Sequence, residues 1–241
     1  MEAICKSAVI QKAAELTDGE LALINAQALR HMAAAEVFVF RLAACDNQID
    51  RDFERFTDAA LEAMAKLYVG KPVLRDHAWS KGSQTARVYA AGVEDAGDSR
   101  RLVLRCYMPR TEGTAETIAA IESGVIRECS VGVGAGKSIC SICGAVQQEA
   151  MCKHYPGREY GRKLCHFDLD DIRDAYEVSL VAVPAQPAAG IVKSKRYGGP
   201  DSHETGEEPS PSDDGKALQR AKALLELEKI RYGGNQNGTN Q

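Results

Sequence analysis

The stretch AYEVSLVAVP, residues 175–184, decides how the fold of this chain is interpreted. It is apolar on both faces, which is typical of a central strand covered on both sides, and Pro184 ends it. Glu177 interrupts this apolar run. A carboxylate in such a strand is costly unless it is paired or hydrogen-bonded, so we expect a partner for Glu177. The alternative places Glu177 at the mouth of the strand, in water.

Further segments with the composition of strands precede this one along the chain. They are EVFVFRLA (36–43), KPVLRDH (71–77), the two runs 86–95 and 99–109, and VIRECSVGVG (125–134). The regular alternation of strand and helix that marks a doubly wound fold is missing. The pattern therefore predicts an α+β fold, built on a mixed or antiparallel sheet that is flanked by helices.

Two helices are predicted between these strands, and both have recognisable ends. Thr57 is the expected N-cap of the first helix and Gly70 its end. Thr114 is the expected N-cap of the second helix, and Gly124 ends it. A hairpin turn is predicted at residues 96–98, where Ala-Gly-Asp separates two strand-like runs.

Ser130 lies in a strand-like stretch and is followed by Gly132 and Gly134. Glycine weakens the interior of a strand, so two of them require a reason. One reason is space, because a substrate backbone could then approach closely and main-chain N–H groups could turn toward a developing oxyanion. On this interpretation Ser130 is a candidate nucleophile. The alternative is a serine beside a β-bulge.

His77, at the expected end of a strand, is the candidate general base. An imidazole can take a proton from a serine hydroxyl at neutral pH. Glu177 is the candidate third member, because a carboxylate would hold the imidazole tautomer and stabilise the imidazolium. Asp174 is the alternative for this third role. A histidine that follows an aspartate at a strand end is also common as a surface residue, and that interpretation stays open here.

Two other patterns in the same region compete with this interpretation. Cys129 could be a thiol nucleophile, but neighbours on a strand point to opposite faces, so only one of Cys129 and Ser130 can meet His77. The glycine context favours Ser130. Residues 134–138, GAGKS, resemble the end of a phosphate-binding loop, but Val131 stands where its first glycine is needed and no helix is expected afterwards.

A block of cysteines and histidines follows the serine strand. Cys140-x-x-Cys143-Gly is a knuckle in which two thiolates lie on a tight turn, and Cys152-x-His154 offers a second pair. Three thiolates and one imidazole satisfy tetrahedral Zn²⁺, so a structural zinc site is predicted at these four residues. Four protein ligands leave no open position for catalysis. Cys165 or His166 could replace His154, and free thiols in a flexible insertion are the alternative to a metal site.

The succession of these motifs resembles the tailed-phage prohead proteases, which are capsid-maturation serine peptidases distantly akin to herpesvirus assemblins. The similarity covers about residues 38–192. The stretches that carry it are DRDFERF (50–56), GKPVLRDH (70–77), ESGVIRECSVGVG (122–134) and YEVSLVAVPAQPAAGI (176–191). The resemblance implies that His77 is the general base, Ser130 the nucleophile and an acidic residue, carried over to Glu177, the third member. It also implies a small β-barrel flanked by helices.

The resemblance further implies the partners and the location. The substrate would be the major capsid protein or its scaffold segment, with self-cleavage and a homo-oligomer as further expectations, inside the assembling prohead in the host cytoplasm. The formal net charge of −4 does not favour general binding to nucleic acid or anionic membranes, and no apolar run approaches the roughly 20 residues of a membrane span. The N-terminal stretch lacks the apolar core of a signal peptide, so a reducing compartment is expected.

The chain is predicted to divide into four parts. These are an N-terminal extension (1–32), a peptidase domain (33–193) with the Cys/His insertion (138–166), an acidic Pro/Gly/Ser-rich linker (194–215) and an amphipathic helix with a frayed tail (216–241). Within the peptidase domain, the charged residues 46–56 are expected to form a connection.

Two rival functions remain open from the sequence. A zinc-bearing capsid assembly protein could keep the same fold without activity. A zinc-knuckle nucleic-acid binder is disfavoured because acidic residues after the block offset its basic ones.

Overall fold

The computed structural model describes residues 16–184 and residue 186. The first fifteen residues of the predicted N-terminal extension lie outside the described residues. The same holds for the predicted linker (194–215) and the predicted C-terminal helix (216–241).

The described residues form nine strands and three α-helices. The strands are Val37–Asp46 (β1), Glu54–Phe56 (β2), Pro72–Arg75 (β3), Ala86–Ala96 (β4), Ser99–Pro109 (β5), Glu128–Cys140 (β6), Glu159–Tyr160 (β7), Lys163–Leu164 (β8) and Phe167–Val181 (β9). The helices are Asp18–Asn25 (α1), Asp58–Leu67 (α2) and Glu112–Glu122 (α3). The predicted α+β class is confirmed.

Seven strands form one mixed sheet in the order β1-β5-β4-β3-β9-β2, and β6 pairs with β9 as well. The pairs from β1 to β3 are antiparallel, whereas β9 runs parallel to β2 and β3. The predicted mixed sheet is therefore correct. The β-barrel alternative is wrong for the described residues, because β1 pairs only with β5 and the sheet does not close.

Strand β9 is the centre of the molecule, as its apolar sequence predicts. One edge pairs with β6 along its length, and the other edge pairs with β2 near its start and with β3 near its end. Covered on both edges, the strand buries Ala175, Val178 and Leu180 in the main core. This arrangement places residues from β3, β6 and β9 side by side, which matters for the site below.

Several predicted ends are confirmed. The Thr57 hydroxyl accepts a hydrogen bond from the Ala60 N–H at 3.0 Å and caps α2. Gly97, in the turn between β4 and β5, has a φ of 66°, a left-handed conformation that glycine adopts freely. The N-cap of α3 is Thr111 and not Thr114. The Thr114 hydroxyl instead accepts from the Thr111 N–H at 3.0 Å, so it caps from inside the first turn.

The charged segment 46–56 contains β2, a strand that the sequence did not indicate. Three residues are too few to show a periodic pattern. They form a strand because the start of β9 offers a free edge, along which Glu54, Arg55 and Phe56 pair with residues 167–169. Residues 21–25 form the end of α1.

The main core lies between the sheet and α2. Leu61, Met64 and Tyr68 are fully buried at helical spacing, and they pack with the apolar residues of β1, β5 and β9. Burial at about 25 cal/mol per Å² of apolar surface makes this the main source of stability. A smaller cluster forms around Ile24 and Tyr89.

The chain after β9 is fastened to the end of β1 by Gln186. Its side-chain oxygen accepts from the Asp46 N–H at 2.6 Å, and its nitrogen donates to the Asp46 carbonyl at 3.0 Å. A side chain thus replaces a pair of strand hydrogen bonds. Across the described ranges, no helix is long and apolar enough to cross a membrane.

Candidate functional site

The loop after β3 places His77 above β9. The strand ends at Arg75, two residues earlier than predicted, because Asp76 and His77 both adopt left-handed backbone with φ of 53° and 52°. Aspartate and histidine tolerate this conformation better than most residues, but two in succession carry strain. The His77 N–H donates to the Ser179 hydroxyl at 3.1 Å, which fastens the turn to β9.

The His77 ring is bound to the Glu177 carboxylate. Nδ1 of His77 lies 2.8 Å from Oε1 of Glu177. The Glu177 side chain is 3% exposed and that of His77 is 42% exposed. A carboxylate accepts and cannot donate, so Nδ1 is the donor in this hydrogen bond, and in a neutral His77 ring the lone pair is then on Nε2. The partner that the sequence required for Glu177 is therefore His77.

Ser179 completes the shell around this carboxylate, a role that was not predicted from the sequence. Its hydroxyl donates to Oε2 of Glu177 at 2.5 Å and accepts the His77 N–H. Both carboxylate oxygens are thus occupied, which offsets the cost of burying the charge. The signal was present in the sequence, because Glu177 and Ser179 are two apart on one strand and therefore share a face.

Ser130 lies on the same face of the sheet as these residues. It pairs directly with Ser179 across β6 and β9, and Gly132 pairs with Glu177. Directly opposed residues have Cβ atoms about 4.5–5.5 Å apart. The hydroxyl of Ser130 makes no hydrogen bond to His77 within the described part of the chain. Such contacts are often long without substrate and tighten when it binds.

Cys129, the alternative nucleophile, faces the other way. It is fully buried in the main core, and its thiol contacts the Ala43 carbonyl at 3.6 Å. Burial, followed by the neighbouring Glu128 carboxylate, raises the pKa of the Cys129 thiol to about 12. The thiolate is the nucleophilic form, so Cys129 cannot supply one at neutral pH.

The acidic residues near Glu177 have other partners. Asp174, the alternative third member, pairs with Lys71 at 3.0 Å. Asp170 accepts from the Thr57 hydroxyl at 2.9 Å. Among the described acidic residues, Glu177 is the one that contacts His77.

The glycines of β6 make room for side chains of β9. A Cβ added to Gly132 would overlap Oε1 of Glu177, and one added to Gly134 would lie 2.6 Å from the Tyr176 hydroxyl. The sequence pattern alone suggests that this space is left for a substrate. The structure assigns it first to the Glu177 carboxylate, so Gly132 is needed for the His77–Glu177 pair to form.

Tyr68 contacts the backbone of Gly132 and Glu177 from the side of the main core. Its hydroxyl lies 3.2 Å from the Gly132 carbonyl and 3.1 Å from the Glu177 carbonyl. The pairing register shifts just after Gly132, so this hydroxyl satisfies carbonyls at an irregularity in the sheet. Burial raises the pKa of Tyr68 well above its usual value, so the phenol stays protonated and can donate.

The Cys/His block forms a cluster at the far end of β6. Cys140 is the last residue of that strand, and the Gly144 N–H donates to its carbonyl at 2.8 Å, which closes a tight turn around Cys143. Gly144 has a φ of 73°, as the predicted knuckle requires. The inserted segment therefore spans residues 141–166, because β6 continues through Ser138 and Ile139.

Cys152 and His154 bring the second pair of ligands to the knuckle. One ligand atom from each of Cys140, Cys143, Cys152 and His154 lies within 4.8 Å of the others. Nδ1 of His154 is 3.7 Å from the Cys140 sulfur. A tetrahedral ion about 2.3 Å from sulfur separates its ligands by roughly 3.8 Å. The cluster could therefore bind a metal.

The alternatives for the fourth ligand are placed differently. Cys165 is buried close to the cluster but outside the set of four, and burial, followed by Cys140, raises the pKa of its thiol to about 11. His166 lies with Nδ1 3.4 Å from the Leu164 carbonyl and Nε2 3.4 Å from Asp168. The four residues whose ligand atoms lie within 4.8 Å of one another thus include His154, while the Cys165 thiol lies in hydrogen-bond contact with Cys140 at the edge of the cluster.

The resemblance of residues 134–138 to a phosphate-binding loop has no structural counterpart. These residues lie inside β6, where a loop leading into a helix would be needed. Comparison of the chain with known protein families, with curated proteins and with solved structures finds no match.

Proposed function

We propose that this chain is a serine endopeptidase in which Ser130 is the nucleophile, His77 the general base and Glu177 the residue that orients His77. One observation carries the proposal. The buried Glu177 carboxylate binds Nδ1 of the half-exposed His77. Ser130 lies on the same face of the sheet, on the neighbouring strand β6. A buried carboxylate that holds one imidazole tautomer is the arrangement that serine hydrolases use.

The proposed reaction follows from the positions of the protons. Nε2 of His77 takes the proton of the Ser130 hydroxyl as Oγ attacks the scissile carbonyl, and Glu177 stabilises the imidazolium that forms. His77 then gives this proton to the leaving amine, and the peptide C–N bond breaks. A water molecule, activated in the same way, hydrolyses the Ser130 ester and regenerates the enzyme.

Backbone N–H groups between Ser130 and Gly132 are the proposed donors to the oxyanion. Among the described strands β6 pairs with β9 alone, so alternate N–H groups of β6 point away from that ladder, which supports this assignment.

The proposed substrate is the major capsid protein or its scaffold segment, cleaved within an immature phage shell. This part rests on the resemblance to prohead proteases carried by residues 70–77, 122–134 and 176–191. Self-cleavage and assembly with further copies are part of the same proposal.

Coexpression with the major capsid protein tests the function. The capsid protein should be shortened when the chain is present, and the new terminus can be identified by mass spectrometry. If the capsid protein stays at full length while the chain is still required for shells to form, the rival proposal of an inactive assembly protein is correct.

We further propose that the Cys/His cluster holds Zn²⁺ in a structural role. Four protein ligands close a tetrahedral site, and the donor set of three thiolates and one imidazole suits zinc. The pKa of the Cys152 thiol is lowered to about 6, chiefly by a hydrogen bond with the His154 backbone. The lower pKa favours the thiolate form that binds a metal. When bound, the ion would supply folding energy to a segment too short for a core of its own.

Purified protein should contain about one zinc per chain by elemental mass spectrometry. Cys140→Ser should lose the metal and the order of residues 141–166, while residual hydrolysis remains. Cys165→Ser is the matched control and should keep the metal, because this buried thiol lies outside the set of four. Protein purified under reducing conditions without chelator and found free of zinc would contradict the site.

A further inference from the structure

A cleft of about 260 Å³ opens beside the His77–Glu177 pair. Its walls include Pro72, Leu74, Trp79 and Tyr176, and Glu177 lies at one side. Ligand pockets for drug-sized molecules measure about 300–1,000 Å³, so this cleft is sized for a smaller group. The catalytic assignments above leave it without a role.

Two exposed aromatic rings form the mouth of the cleft. Trp79 is 72% exposed and Tyr176 is 42% exposed, and their ring centroids are 5.7 Å apart. Exposed large aromatic side chains that lie together are typical of recognition surfaces. Gly134 supports this arrangement, because any side chain there would collide with the Tyr176 hydroxyl. The sequence therefore provides space for Tyr176 in this position.

The cleft opens on the same face of the sheet as Ser130. Leu74, in its wall, pairs with Ser179, and Ser179 pairs in turn with Ser130. Strands lie about 4.8 Å apart, so the wall at Leu74 and the hydroxyl at Ser130 are separated by roughly 10 Å across β9. An extended peptide advances about 3.3 Å per residue and covers that distance in about three residues.

We propose that this cleft, between Trp79 and Tyr176, is a subsite for one apolar side chain of the peptide substrate, such as Leu, Met or Phe, about three residues from the scissile bond. The inference rests on the proposed peptidase function and specifies its substrate. The exposed wall of the cleft is mostly apolar, although Ser80, Lys81, Gln84 and Glu177 also line it. The Lys81 side chain disfavours a cationic substrate residue. A well-fitted apolar side chain typically gives a preference of about 10-fold to 200-fold over a smaller one.

Trp79 is the single tryptophan of the chain, so its fluorescence reports on the cleft directly. The Ser130→Ala variant, which cannot consume a peptide, is titrated with a capped Ala/Ser heptapeptide that carries one Leu, one Lys or neither. The Leu peptide should shift the Trp79 emission with a dissociation constant at least about 10-fold lower than the other two. Tyr176→Ala, added to this variant, should remove the difference. The matched control is Tyr155→Ala, an exposed tyrosine in the Cys/His insertion, which should leave the titration unchanged.

The outcomes separate this inference from the proposed function. Equal titrations for the three peptides, or no effect of Tyr176→Ala, would overturn the subsite. A peptide mixture digested by the unaltered chain provides the second arm. If the Leu peptide binds but nothing is cleaved, the peptidase proposal fails and the subsite stands. If cleavage occurs with a sequence preference that Tyr176→Ala does not change, the subsite fails and the peptidase proposal stands.

Discussion

Replacing Ser130 or His77 by alanine is expected to lower peptide hydrolysis by about 10⁴-fold or more, with folding unchanged. The nucleophile and its base act as one unit, so the double variant should lose little more than either single variant. Ser130 is partly exposed and lies outside the core, so thermal unfolding of Ser130→Ala should stay close to that of the unaltered chain. His77→Ala should keep the fold but unfold at a lower temperature, because it leaves Oε1 of the buried Glu177 carboxylate without its partner. The measurement is kcat/KM on a cleaved capsid peptide.

Cys129→Ala is the matched control for this prediction. Cys129 is the direct neighbour of Ser130, but it points into the core, so its loss should cost some stability and leave turnover largely intact. Activity that survives Ser130→Ala and disappears in Cys129→Ala would assign the nucleophile to the thiol instead.

Gly132→Ala is expected to lower turnover by about 10²-fold to 10⁴-fold, although the substitution adds only a methyl group. The new Cβ would occupy the place of Oε1 of Glu177 and force the carboxylate away from His77. Glu177→Gln should have an effect of the same size, because it removes the negative charge that stabilises the imidazolium and lets an amide N–H turn toward Nδ1, which favours the wrong tautomer. Both effects should be smaller than the loss of Ser130.

Gly92→Ala controls for the general cost of changing a strand glycine. Gly92 lies in β4, and a Cβ there would meet no atom within 4 Å, so activity should be unaffected. Asp174→Asn should also stay active, because Asp174 pairs with Lys71. Full activity in Gly132→Ala, or an inactive Asp174→Asn, would show that the third role has been assigned to the wrong residue.

Local signals in the sequence were enough to predict much of the secondary structure. The hydroxyl of Thr57, the turn glycine Gly97 and the apolar run 175–181 each act over a few residues, so the sequence pattern contains them directly. The ends of β9 were predicted wrongly, because the strand starts at Phe167, within a charged stretch, and stops at Val181, before Pro184. Such signals locate a helix start only to within a few residues. Thr111 and Thr114 are both good capping residues three positions apart, and the sequence alone does not decide between them. Whether the sheet closes into a barrel depends on pairing between strands that are distant in sequence. No local pattern predicts such pairing.

The contacts within the candidate site could be predicted from the sequence only in part. The need for a partner at Glu177 followed from a charge within an apolar strand, and that partner is His77. That Ser130 lies opposite Ser179 could be known only from the strand register. Why a glycine is needed at position 132 could also not be predicted without the strand register. Only the pairing of Gly132 with Glu177 shows that the Glu177 side chain occupies this space.

The central claim is that Ser130 is a nucleophile activated by His77, and covalent labelling of the purified protein with a phosphonofluoridate tests it most directly. The Ser130 oxygen would attack phosphorus, fluoride would leave, and His77 would take the hydroxyl proton. Trypsin releases residues 128–137 as one peptide, ECSVGVGAGK, in which Ser130 is the single serine. We predict that this peptide carries the phosphonyl group in the unaltered chain and lacks it in His77→Ala. Folded protein that stays unlabelled at Ser130, or that is labelled equally without His77, would contradict the account.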